Sequence, residues 1–188
     1  TTEIAEGLFA GCTGIEQIRI PDTVTVIESG AFGGCINLKE IVVPDNVTEI
    51  QSSAFEYCSS LKTVKLSENL ERIGVYAFGD CDVLKSIKIP DSVLDIDGAA
   101  FAECKELSDV VLSKNLKTMG WQVFGNDNKL TEIEIPKSLE ECRYYRNNDS
   151  IDGGTFDNCA NLKTVMFEDG TTEIAEGLFA GCTGIEQI

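Results

Sequence analysis

Eight cysteines and no histidine set the chemistry open to this 188-residue sequence. Seven of the thiols (Cys12, Cys35, Cys58, Cys81, Cys104, Cys159 and Cys182) stand three residues after a phenylalanine. Thiols can ligate zinc, pair as disulfides or act as nucleophiles. Zinc needs ligands at C-x-x-C-type spacing or on convergent loops, and no such pair occurs. Stacked in register about 5 Å apart, neighbouring thiols would lie within disulfide reach. The column nevertheless holds an uninterrupted run of five, Cys12 to Cys104, which cannot all pair. It reads as reduced, buried core thiols, with Cys142 as the one exposed thiol. Lack of histidine removes Ser-His-Asp and Cys-His catalysis, histidine metal sites and the usual near-neutral proton shuttle. No nucleophile–base set or phosphate-cradling loop takes their place. The composition therefore points away from enzymes, and the sequence implies no cofactor.

Carboxylates offer a second chemistry. Asp95-Ile96-Asp97-Gly98 and the stretch from Asn147 to Gly153 both miss the EF-hand ligand spacing, so they read as solvated charged surface rather than calcium sites. Asn46-Val47-Thr48 and Asn148-Asp149-Ser150 fit the N-glycosylation acceptor pattern. Fifteen Lys and Arg against 32 Asp and Glu leave a net charge of −17, which disfavours nucleic acid as a partner. The 43% apolar share supports a folded core. No uncharged run reaches the roughly 18 residues a membrane span needs, and no signal peptide is legible.

What must position these groups is a repeat. Phe9, Phe32, Phe55, Phe78, Phe101 and Phe124 are each 23 residues apart; Phe156 follows after 32, and Phe179 after 23 more. Six residues after each Phe lies Leu or Ile, and nine after lies Ile or Val. Five before lie Ile4, Ile27, Ile50, Ile73, Ile96, Met119, Ile151 and Ile174. The unit is I-x-x-x-A-F-x-x-C-x-x-L-x-x-I-x-I-P-x-x-V. A 23-residue unit cannot enclose its own apolar face, so successive units must stack around a shared core. The I-x-I segment, apolar at period two, predicts a short strand pairing in parallel with its neighbours. The proline that follows lacks an N–H and ends it. The A-F-x-x-C stretch predicts a single helical or 3₁₀ turn on the opposite wall. The count predicts eight coils of 23 residues in one domain over 1–188.

These columns resemble the BspA-like class of leucine-rich repeats over essentially the whole chain, apart from about nine residues. The resemblance implies an α/β leucine-rich-repeat solenoid, right-handed, with its parallel sheet on the concave wall. It also implies a secreted or cell-surface protein of bacteria or parasitic protists used in adhesion, with no shared catalytic residues. The implied partners are an extracellular protein, such as a host matrix or cell-surface protein, or another copy of the chain.

Two departures and one charge pattern bear on function. A nine-residue insertion falls within Glu140–Ser150 and carries Arg143, Tyr144, Tyr145 and Arg146. It is either a tolerated surface bulge or a recognition finger, since Tyr and Arg favour interfaces. Residues 1–18 and 171–188 are identical at all 18 positions, solvent-facing ones included. The offset of 170 is seven units of 23 plus nine, which suggests one super-repeat plus overlap from a longer array. Lys39, Lys62, Lys85 and Lys163 flank the strands, while Arg19, Lys65 and Lys88 lie between the strand's two core positions. Cross-strand charge tuning accounts for such a column. So does a mildly basic, partly apolar strip for an acidic partner, with Val42, Val111 and Met166 interspersed. Two functions remain open: a non-catalytic adhesion or protein-binding solenoid at the cell surface, and a stalk or filament of stacked super-repeats.

Overall fold

The computed structural model describes residues 1–143, 145–147 and 150–187, with only the backbone described for 145–147 and 150–152. It is a parallel β-solenoid wound every 23 residues. Seven two-residue strands form one continuous parallel ladder: Glu3–Ile4, Val26–Ile27, Glu49–Ile50, Arg72–Ile73, Asp95–Ile96, Thr118–Met119 and Glu141–Cys142. Each rung points one apolar side chain inward and the other, polar in every rung but that of Val26, outward, the alternation that a pleated chain imposes. Six complete turns separate the first rung from the last. The ladder thus covers six turns and does not extend over the eight coils the phenylalanine count predicts, because its last rung is Glu141–Cys142.

The I-x-I segments are strands as expected, and they form a second series of parallel pairs. Glu40–Val42 pairs with Thr63–Lys65, Ser86–Lys88 with Asp109–Val111, and Glu132–Ile135 with Thr164–Phe167. Single bridges extend the series at Gln17 to Glu40 and at Thr164 to Gln187. Between these strands and the rungs runs the core. Phe9, Phe32, Phe55, Phe78, Phe101, Phe124, Phe156 and Phe179 stack with centroids 5.1–5.7 Å apart and rings within 16° of parallel. Burial of each such side chain contributes about 1.5–3 kcal/mol.

The predicted helical turn is absent: no helix occurs among the described residues. The reason lies in the backbone. The residue two after each Phe, from Gly11 and Gly34 through Tyr57, Asp80, Glu103, Asn126 and Asn158 to Gly181, has a positive φ. Left-handed residues interrupt a right-handed helix. Amide direction then alternates along the turn. Leu8, Ala10 and Cys12 donate within it, to Ala5, Gly7 and Phe9, while Gly7, Phe9 and Gly11 donate to Ser29, Ala31 and Gly33 of the next coil. No set of i→i+4 donors remains. The coils approach closely here, and a Cβ on Gly120 would sit 2.2 Å from the backbone nitrogen of Gly98.

The insertion is placed differently from the sequence alignment. Cys142, not Ile151, occupies the rung column, in register with Met119. The extra residues follow it, and 145–147 pair antiparallel with 150–152. Cys142 is consequently buried at 5% exposure, not exposed as expected, because it fills the inward rung position. Burial pushes its thiol pKa up to about 11.

Candidate functional site

The outward residues of the I-x-I strands form one exposed column, because parallel pairing in register puts equivalent positions side by side. Val42 is opposite Lys65, Lys88 opposite Val111, and Glu134 opposite Met166. Arg19, Val42, Lys65, Lys88, Val111, Glu134 and Met166 are all exposed. Three exposed apolar side chains and three cations thus share one wall. Lys62 and Lys85 are also exposed, just before their strands.

Ion pairing divides the cations of the chain, and among the described residues Lys114 and Lys129 join the unpaired group. Lys39 binds Glu16 at 2.6 Å and holds that carboxyl below its ordinary pKa through the hydrogen bond and the charge. Lys105, Lys137 and Lys163 pair with Asp82, Glu168 and Glu186, and Lys117 pairs with Glu140. Arg19, Lys62, Lys65, Lys85 and Lys88 make no ion pair among the described residues. Glu40, Asp109, Glu132 and Glu134 are exposed on the same strands, so the wall mixes unpaired cations with carboxylates and apolar side chains. Two cavities open on it. One of about 430 Å³ is bordered by Arg19, Asp22, Glu40, Val42 and Pro44. Another of about 280 Å³ is bordered by Val111, Lys114, Glu134, Pro136 and Glu168.

The insertion's cations belong elsewhere. Arg143 follows the last rung on the other ladder, where its Nη1 lies 3.1 Å from Asp97 Oδ1 and 3.5 Å from Asp95 Oδ1. Arg72 binds the other Asp97 oxygen at 2.7 Å, and that hydrogen bond raises its own pKa further. Thr118 hydrogen-bonds Asp95. Asp95 and Asp97, weighed as calcium ligands, are therefore held by two guanidinium groups. Sequence reasoning missed this cluster, although its signal was present: Arg72 is the lone cation in the outward rung column Glu3, Val26, Glu49, Arg72, Asp95, Thr118, Glu141. Tyr144 lies outside the described residues, and so do the side chains of Tyr145 and Arg146. The structure therefore unites Arg19, Lys62, Lys65, Lys85 and Lys88 on one wall, with Lys39 beside them in its ion pair, and does not bring Arg143 to that wall.

The thiol column is buried from Cys35 to Cys104 and at Cys159, and half-buried at its two ends, Cys12 and Cys182. Cys58 Sγ donates to the Phe32 carbonyl at 3.3 Å and Cys104 Sγ to that of Phe78 at 3.3 Å. Burial lifts the Cys58 pKa to about 12, well away from the thiolate range in which cysteine is reactive.

A model of the BspA type leucine rich repeat region matches in six copies, over residues 2–95, 25–146 and 138–188. Three solved structures are similar in fold. A leucine-rich repeat protein from Bacteroides ovatus is 29% identical with a TM-score of 0.74, over 100% of this chain and 57% of that one. The leucine-rich repeat protein of T. pallidum is 28% identical with a TM-score of 0.73, over 91% and 75%. A leucine-rich cell surface protein from Faecalibacterium prausnitzii is 28% identical with a TM-score of 0.58, over 100% and 56%. The chain thus spans little more than half the length of the first and third. No curated protein matches its sequence.

Proposed function

The chain belongs to the BspA-type leucine-rich repeat family, and on that premise we propose that it is a non-catalytic protein-binding solenoid at the cell surface. Its I-x-I wall takes an extended acidic segment of an extracellular protein. The observation that carries this reading is the set of five unpaired cations, Arg19, Lys62, Lys65, Lys85 and Lys88, beside exposed Val42 and Val111. A chain of net charge −17 has carboxylates to spare, and cations such as Lys39 and Lys117 are neutralised by them, whereas these five are not. Partner carboxylates would satisfy the cations while apolar side chains cover the valines. Each exposed pair would be worth little, about 0–1 kcal/mol, so affinity comes from repetition along the wall. The cell-surface setting is supported by the description of the similar Faecalibacterium protein.

The test is titration of a synthetic peptide alternating Glu and Leu against the protein and its Lys65→Glu/Lys88→Glu variant. Saturable binding that weakens as salt rises and is lost in the variant supports the reading. Binding unchanged in that variant but lost in Arg143→Ala would place recognition on the other ladder instead.

A further inference from the structure

The I-x-I wall is not one continuous sheet. Thr63–Lys65 and Ser86–Lys88 lie one coil apart, yet no ladder joins them among the described residues, and none joins Asp109–Val111 to Glu132–Ile135. The pairs on either side of these breaks are intact. Burial marks both places. Ile41, Ile87 and Ile133 fill the inward strand position and are 1–2% exposed, whereas Val64 and Val110, the equivalent residues just before each break, are half-buried. Each valine is one methylene shorter than its isoleucine counterparts, and no strand pairing draws the next coil over it. The second break holds the cavity of about 280 Å³. Val110, Val111 and Pro136 give it an apolar surface, while Lys114, Glu134 and Glu168 bring charge to its rim. Lys137 neutralises Glu168 at 3.1 Å, whereas Lys114 makes no ion pair among the described residues. Lys88 stands opposite Val111 in register, so the cavity adjoins the row of unpaired cations.

We propose that this cavity is the anchor pocket of the wall, taking one leucine-sized apolar side chain of the bound segment while a nearby carboxylate of that segment meets Lys114. The inference rests on the acidic-partner reading and adds to it an apolar residue that the partner must carry. The volume lies below the roughly 300–1,000 Å³ of sites for whole small molecules, which suits a single side chain. Position selects the occupant. A segment held through its carboxylates by Lys65 and Lys88 arrives at Val111, and its next apolar side chain can enter the break. That side chain covers Val110 and Val111, which strand pairing leaves open here. Enclosing an apolar group contributes more than an exposed ion pair does, so the anchor outweighs any single cation on the wall. Such a residue in a desolvated pocket, ringed by weaker contacts, is how binding energy concentrates at an interface.

Two peptides are titrated calorimetrically against the full chain: Glu-Ala-Glu-Ala-Leu-Ala-Glu-Ala-Glu and the counterpart with Ala at its centre. The leucine peptide should bind about tenfold more tightly, as an enclosed apolar group permits. Val111→Trp puts an indole at the mouth of the cavity and should abolish that preference. Leu94→Trp, at an exposed residue just before the rung Asp95–Ile96, should keep it. Circular dichroism confirms that both variants are folded. Equal affinity for the two peptides, with both lost in Lys65→Glu/Lys88→Glu, would overturn the anchor pocket and leave the acidic-partner reading standing. A preference that survives Val111→Trp, or that Leu94→Trp removes as well, would also overturn it. Failure of both peptides to bind would remove the acidic-partner reading and the pocket together.

Discussion

Asp127 Oδ1 accepts the backbone N–H of Cys104 at 2.9 Å, while Asp127 Oδ2 is buried with no hydrogen-bond partner among the described residues. In other turns the cysteine N–H bonds locally, as Cys58 does to Phe55 and Cys159 to Phe156. Asp127 stands where the thiol column should continue, so a carboxyl fills a place built for a small apolar group. An orphaned buried oxygen costs about 1–3 kcal/mol.

Asp127→Cys should therefore stabilise the chain by about 1–3 kcal/mol at neutral pH. Burial, chiefly, raises the Asp127 pKa well above its ordinary value in the folded state. The stability this group contributes is thus fully present below the unfolded pKa of about 3.9 and is lost as pH rises towards the folded value. Thermal unfolding at several pH values should show the advantage of Asp127→Cys widening from acid to neutral pH. A difference that does not vary with pH would mean that Asp127 is not protonated by burial.

Phe78 lies between Phe55 at 5.1 Å and Phe101 at 5.3 Å, fully buried. Phe78→Ala should cost about 3–5 kcal/mol through lost burial and the cavity left behind. Denaturant unfolding measures it, and an unchanged midpoint would refute the shared core.

Gly120 has no room for a side chain, since an added Cβ would overlap the Gly98 backbone. Gly120→Ala should destabilise by about 1–3 kcal/mol, as overpacking does. The comparison variant Gly14→Ala, where nothing lies within 4 Å of the added carbon, should be close to neutral. Equal effects in thermal melts would show that the coils are not so closely stacked at Gly120.

Cysteine labelling should follow burial. Cys12 and Cys182 are half-buried, whereas Cys35, Cys58, Cys81, Cys104, Cys142 and Cys159 are enclosed. Maleimide mapped by mass spectrometry should modify Cys12 first. Cys182 should be slower, since burial raises its pKa to about 11. Rapid labelling of Cys142 would contradict its place in the rung ladder.

The core columns were legible in the sequence because they obey one period and one chemistry. Phe, Cys, the Leu six residues on and the I-x-I pair are apolar and in phase, and the structure uses each as its pattern indicates. The rung ladder was harder to read, since a two-residue strand such as Arg72–Ile73 shows one apolar position per turn and no alternation. The helical turn was misread because the decisive property is backbone sign, and residues as unlike as Gly34, Tyr57 and Glu103 share a positive φ there. Alignment alone could not choose between Cys142 and Ile151 for the rung, as both are apolar and flank the insertion. Pairing with Met119 decided it. The basic strip was visible as spacing, but ion pairing, which sets Lys65 apart from Lys39, is a property of the folded chain.

The most direct test of the proposed binding wall is zero-length carbodiimide cross-linking of the Glu/Leu peptide to the protein, mapped by mass spectrometry. Cross-links from peptide carboxylates to Lys62, Lys65, Lys85 and Lys88 are predicted. Cross-links confined to Lys117 and Lys129, away from those strands, would contradict the account.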